Sequence, residues 1–145
     1  MTLKQTIKAL CAIADEQPNI RTCLEGSIYE NLNANPSVKY DCFIVTQQKH
    51  RQTESYDNYH FILFYVSRLQ DNLEQNRIQC QSIGKEVLGN IIRSFVETYD
   101  LDYPTVEYTV FTQRFADLCC GCFADVTLAI PVDTVCAEYY EDMED

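Results

Sequence analysis

At 145 residues, 46% hydrophobic and 23% charged, the chain has the size and composition of one globular domain, able to bury roughly two thirds of its unfolded surface without a metal or disulfide staple. No apolar run approaches the ~20 residues of a membrane span, and the N-terminal stretch lacks the continuous apolar segment and cleavage site of a secretory signal, so a protein made in a cytoplasm is expected. The net charge of −11 is concentrated late in the chain, where eight acidic residues and no Lys or Arg follow Arg114; such a surface repels phosphate and disfavours sequence-specific nucleic-acid binding.

Thr2 followed by Gln5 matches a capping box, and Leu3, Ile7, Leu10, Cys11 and Ala14 recur at helical spacing, which predicts a first helix ending before Pro18. From residue 20 to 36 the pattern weakens: Ile20, Cys23, Ile28 and Leu32 are apolar and Gly26 interrupts, so a short irregular strand and a loop are expected. Residues 39–46 and 59–68 are rich in β-branched and aromatic side chains and read as strands. Both are apolar on two sides, which implies burial on both faces, or helices on one face and a neighbouring chain on the other. The polar stretch between them, 47–58, is longer than a tight hairpin needs and reads as a loop, either functional or a tolerated insertion. It carries the one local basic cluster, Lys49-His50-Arg51, and Tyr56. That cluster is too small for a nucleic-acid stripe and reads as a solvated tip or, with Tyr56, as interface.

The clearest element is a long helix in which Cys80, Ile83, Gly84, Val87, Leu88, Ile91, Ile92, Phe95 and Tyr99 form one stripe. Gly84 on that stripe costs about 1 kcal/mol against Ala, so a close helix-to-sheet approach is expected there. Residues 100–104 turn the chain, and from residue 106 to 131 a final strand pair follows. Its second strand alternates: Cys122, Ala124, Val126, Leu128 and Ile130 share one face, while Phe123, Asp125, Thr127 and Ala129 share the other. The order predicts an α+β fold, a two-layer domain over residues 1–131, with an antiparallel four- to five-stranded sheet packed by the long helix plus the N-terminal helix. Residues 132–145 read as an acidic C-terminal arm or tail, disordered or ordering on a partner, with Tyr139 and Tyr140 favouring the arm.

No catalytic constellation is legible. His50 and His60 have no acid or nucleophile paired with them in sequence, and the four glycines form no phosphate-cradling loop. Eight cysteines suggest a framework, yet most fall at apolar positions, so buried free thiols are the expectation. The CxxC in Cys119-Cys120-Gly121-Cys122 has no second pair to complete a zinc tetrahedron. No cofactor, no metal and no enzymatic activity are expected. Ten Tyr and seven Phe with no Trp are a heavy aromatic load, and some tyrosines among Tyr56, Tyr59, Tyr65, Tyr103, Tyr108, Tyr139 and Tyr140 are expected to face outward if Phe61, Leu63 and Val110 face in.

Several runs carry a resemblance: Gly26-Ser-Ile-Tyr-Glu30, then Lys39-Tyr-Asp-Cys-Phe-Ile-Val-Thr46 and Phe61-Ile-Leu-Phe-Tyr-Val-Ser-Arg-Leu69, then Ile78-Gln-Cys-Gln-Ser-Ile-Gly-Lys-Glu-Val-Leu88 and the stretch from Arg114 to Pro131. In these the chain resembles the small ring-forming proteins of tailed bacteriophages, the tail terminator (tail completion) and neck or tail-ring group. Asp41 stands where similar sequences are expected to have Pro. The resemblance implies a structural virion protein of the tail or neck, a homo-oligomeric ring of six or twelve copies around the DNA channel, with other phage neck, portal or tail proteins as partners and no membrane. DNA would pass without sequence-specific binding, and Lys49, His50, Arg51, Tyr56, Tyr139 and Tyr140 are the expected interface residues. The alternative is an acidic cytosolic adaptor or inhibitor that holds a basic partner protein. A cysteine-dependent or zinc-containing regulator built on Cys119, Cys120 and Cys122 is a further one.

Overall fold

The capping box forms as the sequence dictates. Gln5 N donates to Thr2 Oγ1 (3.2 Å), Thr2 N donates to Gln5 Oε1 (2.8 Å), and α1 runs over Leu3–Asp15. A computed structural model of the chain describes residues 1–34, 39–69, 73–115 and 117–132. After α1 come β1 (Thr22–Glu25), α2 (Ile28–Ala34), β2 (Cys42–Gln52), β3 (Tyr56–Arg68), α3 (Leu73–Thr98), β4 (Val106–Arg114) and β5 (Leu118–Pro131). The strands form one five-stranded sheet in the order β1-β2-β3-β5-β4. The expected α+β architecture is therefore present, with one refinement: β1 pairs with β2 in parallel, and the other three pairings are antiparallel.

One face of the sheet packs on α1 and α3. Phe43, Val45, Tyr59, Phe61, Leu63, Tyr65 and the alternating β5 residues Cys122 to Ile130 meet Leu10 and Ala14 of α1 and Val87, Leu88, Ile91, Ile92 and Phe95 of α3. Tyr59 and Tyr65 share this face with Phe61 and Leu63, because strand periodicity is two, and both are buried; Val110 is 56% exposed. The outward-facing expectation therefore fails for these two tyrosines and the inward one fails for Val110.

The opposite face is covered at one end by α2, an element absent from the sequence reading, which expected a short irregular strand and a loop over residues 20–36. Gly26 adopts φ +107°, a conformation open to glycine, and ends β1; Ser27 Oγ then accepts from Glu30 N (3.4 Å) as the helix begins. Ile28 and Leu32, four apart, pack on Cys42, Ile44, Val66 and Cys119. This explains why β2 is apolar on both sides.

The expected loop at 47–58 is instead strand. β2 continues past a bulge between Gln47 and Lys49 and keeps pairing through Gln52↔Asp57, which leaves only residues 53–55 as the turn. Thr53 closes it, its N–H donating to Tyr56 O (2.8 Å) and its Oγ1 accepting from Tyr56 N (3.1 Å). The stretch is polar because its β2 residues are solvent-exposed, and the backbone ladder holds it regardless of side-chain type.

Two glycines mark the tightest packing. A Cβ on Gly84 would lie 2.9 Å from Tyr65 Cδ1 and 3.1 Å from Cys122 Cβ, which confirms the expected close approach of helix and sheet; a Cβ on Gly121 would collide with the backbone carbonyl of Tyr65. Gly84→Ala gains about 1 kcal/mol of helix propensity and loses about 1–3 kcal/mol to overpacking. A net destabilisation is expected by urea unfolding. Gly121→Ala, which meets backbone in place of a side chain, is expected to cost more; equal or reversed costs would refute this packing account.

Candidate functional site

The sheet face away from α1 and α3 is only half covered. Beyond α2, the rings of Phe64, Phe111 and Phe123 lie 5.4 to 6.3 Å apart in a half-buried strip. At the sheet margin, β4 has β5 as its strand neighbour, and its outer row of N–H and C=O groups has no strand partner among the described residues. Residues Thr109-Val-Phe-Thr-Gln113 of this edge carry no charge, proline or bulge of the kind that blunts edge strands. Gln81 of α3 donates its Nε2 to Phe111 O (3.2 Å), which satisfies one carbonyl there.

The expected interface residues divide. Lys49, His50 and Arg51 sit on β2, not on a loop tip, opposite His60, Tyr59 and Asn58 of β3. All three are exposed, and Tyr56, opposite Pro131 of β5, is exposed as well. These four therefore gather on one hairpin at one end of the sheet. Tyr139 and Tyr140 lie outside the described residues.

Both histidines acquire the acid that sequence proximity did not show. His50 Nε2 lies 2.8 Å from Asp57 Oδ1, and its ring stacks on Tyr59 with centroids 4.6 Å apart. His60 Nε2 lies 2.6 Å from Asp125 Oδ1, a partner 65 residues away that only the β3–β5 pairing brings close. Neither ring makes a hydrogen bond to a Ser, Thr or Cys side chain among the described residues, so each dyad lacks a nucleophile to activate. Among the described residues no three of His, Cys, Asp and Glu converge as metal ligands. Among the described residues no helix is long and apolar enough to cross a membrane.

A cleft of about 590 Å³ opens at the other end of the sheet, lined in part by Arg21, Lys39, Tyr40, Asp41, Ser67 and Arg68. Sequence reading missed it because its cations are scattered along the chain. Each stands at a strand end: Arg21 just before β1, Lys39 ahead of β2, Arg68 last in β3, and the pairing Thr22↔Cys42↔Val66 brings those ends together. The Arg68 guanidinium lies over the Tyr40 ring, 5.3 Å from its centroid, and 3.8 Å from Asp117. The Asp41 carboxylate, which follows a cis peptide bond, accepts a hydrogen bond from the Tyr65 hydroxyl. Burial, reinforced by that bond, pushes the Tyr65 phenol upward and keeps it a donor.

The cysteines correct the free-thiol expectation. Cys11 and Cys23 join α1 to β1, with Cα atoms 5.8 Å apart, and Cys80 and Cys120 join α3 to β5, with Cα atoms 6.8 Å apart. Secondary-structure spacing placed these side chains inward, as expected, and the fold then aligned helix and strand partners that periodicity alone could not pair. Cys42, Cys119 and Cys122 are buried free thiols. Burial pushes Cys42 up to about 12, with the Cys119 thiol and the Asp41 carboxylate adding to it. Burial also raises Cys119, against hydrogen bonding from Tyr40, and Cys122, against the nearby Lys85.

The chain matches no known family model, and no curated protein matches it.

The two crosslinks close loops of 12 and 40 residues. Loop-closure entropy predicts that replacing Cys11 and Cys23 by Ala costs about 3 kcal/mol, and Cys80 and Cys120 about 4 kcal/mol, in denaturant unfolding. Equal stability of the reduced and oxidised protein would contradict both pairings. For the thiols, native protein at pH 8 is expected to leave Cys42, Cys119 and Cys122 unreacted with a disulfide reagent, and denatured protein to expose all three. Because folded Cys42 keeps its proton from the ordinary 9.0 up to about 12, the unfolded chain loses it first. The stability this group contributes is complete below about pH 9 and is lost as pH rises toward 12.

Proposed function

We propose that the chain is a non-enzymatic structural protein of a tailed-phage virion, whose copies close into a six- or twelve-fold ring at the head-tail junction or tail, in the tail terminator or tail-ring role. The observation that carries this reading is the outer edge of β4, whose stretch over residues 109–113 is uncharged and has no strand partner among the described residues. An edge of that kind is an aggregation hazard unless something covers it. A second copy is the covering that recurs in symmetric assemblies, and a closed ring needs two unlike surfaces on each subunit. The β4 edge supplies one. The hairpin bearing Lys49, Arg51 and Tyr56, and the half-covered sheet face with its Phe64, Phe111 and Phe123 strip, are unlike it and remain available. A net charge of −11 suits a channel through which DNA slides without being held. Neck, portal or tail proteins are then the neighbours along the axis.

Light scattering across a concentration series, with images of the large species, tests this. A discrete species of six or twelve subunits is expected. Val110→Lys, which puts a cation on the exposed edge, is expected to weaken assembly by about tenfold or more, the scale of a charge buried at an interface without a partner. Thermal stability should change little, because Val110 is exposed. A protein that stays monomeric at every concentration and joins no tail tube or portal overturns the proposal.

A further inference from the structure

The cleft and residues 138–145 are complementary in charge, and the described chain ends at the opposite end of the sheet from the cleft. Arg21, Lys39 and Arg68 place three of the chain's 11 cationic side chains around one cleft in a protein of net charge −11. No carboxylate pairs with the side chains of Arg21 or Lys39 among the described residues, and the contact between Arg68 and Asp117, at 3.8 Å and half exposed, is weak. Asp41, the one acid lining the cleft, is engaged by Tyr65. Three cations against the Asp41 carboxylate leave the cleft net positive among the described residues. Residues 138–145, Glu-Tyr-Tyr-Glu-Asp-Met-Glu-Asp, hold five acids and two tyrosines.

Distance decides which copy's segment can enter. The described chain ends at Val132, whose N–H donates to Ser55 O at the hairpin turn. The cleft lies at the Ser67–Arg68 end of β3, beyond 12 strand steps from Tyr56, or about 40 Å at the rise of a β-strand. A fully extended chain covers at most ~3.6 Å per residue. From Val132, Glu138 reaches about 22 Å and Asp142 about 36 Å, so only the last two acids could touch the cleft of their own subunit, with the whole segment stretched taut.

We propose that the acidic segment 138–145 of one copy seats in the Arg21–Lys39–Arg68 cleft of the next copy. Repeated head to tail between successive subunits the contact propagates around a ring, whereas exchanged reciprocally between two copies it closes a two-fold dimer. It deepens the ring reading above and rests on it for closure, although the contact itself requires only two copies. Arg21 and Arg68 present forked donors to carboxylates, and Lys39 adds a point charge. Phosphate-bearing ligands share this anion chemistry and are the competing occupants.

The test uses full-length protein in an equal mixture of nitrogen-15-labelled and unlabelled copies, treated with a carbodiimide that joins amine to carboxylate without a spacer. Mass spectrometry is expected to find Lys39 linked to Glu141, Asp142 or Glu144 in pairs that carry one label from each copy, and the yield is expected to fall at about 0.5 M salt, where screening is short-ranged. Arg21→Glu with Arg68→Glu should cut that yield about tenfold or more, the scale of losing charge pairs at a contact. Glu141→Lys, Asp142→Lys and Glu144→Lys together should weaken self-association equally. Mixing the cleft-reversed and arm-reversed proteins restores association, because each supplies the partner the other needs. Linkage within single copies only, no linkage to Lys39, or no rescue on mixing overturns the proposal, as does inorganic phosphate occupying the cleft while association persists. Rings without the link leave the ring reading standing and remove the arm. Interchain links in species that never close do the reverse.

Discussion

Tyr65 is the side chain on which the layers of this protein are registered. Its ring lies against the bare Cα of Gly84 on α3 and against Cys122 on β5, its backbone carbonyl occupies the space that a side chain on Gly121 would need, and its hydroxyl donates to Asp41. One residue therefore fixes the depth at which α3 sits on the sheet, the spacing of β3 and β5, and the approach to β2. The hydroxyl is buried and satisfied, which makes it a positional constraint as well as apolar surface. The same bond holds Asp41 at the mouth of the basic cleft, so the packing of the core and the charge of that cleft meet at a single atom pair.

What was legible in the sequence followed periodicity. The long helix, the capping box of α1 and the alternation from Cys122 to Ile130 all appear where their patterns place them, because one buried layer enforces one period. Gly84 was legible too, since a glycine on a helix stripe costs stability and needs a compensating contact. The failures share a cause. Residues 48–52 belong to a strand that no second layer covers, so no apolar period marks them, and backbone pairing to β3 does what side chains elsewhere advertise. α2 is seven residues long, too short for its two apolar anchors, Ile28 and Leu32, to be distinguished from a broken strand.

Contacts that depend on long-range pairing were out of reach for a different reason. His60 meets Asp125 across β3 and β5, Cys80 meets Cys120 between helix and strand, and the three cations of the cleft stand at the ends of separate elements. Each of these side chains had an ordinary local explanation: a strand histidine, a buried thiol, a flanking charge. Topology converts those unremarkable positions into neighbours, and a single sequence carries no register. Asp41 shows the same point in miniature. In sequence it is only a departure from an expected proline, whereas in the fold its carboxylate is the acceptor for Tyr65.

The distribution of charge follows from the same topology. The strand ends at the cleft carry Arg21, Lys39 and Arg68, whereas β5 and everything after it contains no cation. Because β5 runs antiparallel to β3, the described chain ends, at Val132, at the end of the sheet remote from the cleft. In the proposed assembly, such polarity would add to the repulsion between copies set side by side with like ends together and lessen it where unlike ends meet. Residues 109–113 of the β4 edge, uncharged between Glu107 and Arg114, would add to that assembly a contact indifferent to charge, made with an extended backbone partner. In the proposed ring the polar ends would set the order of subunits, and the β4 edge and the aromatic strip of Phe64, Phe111 and Phe123 would supply area that charge alone does not.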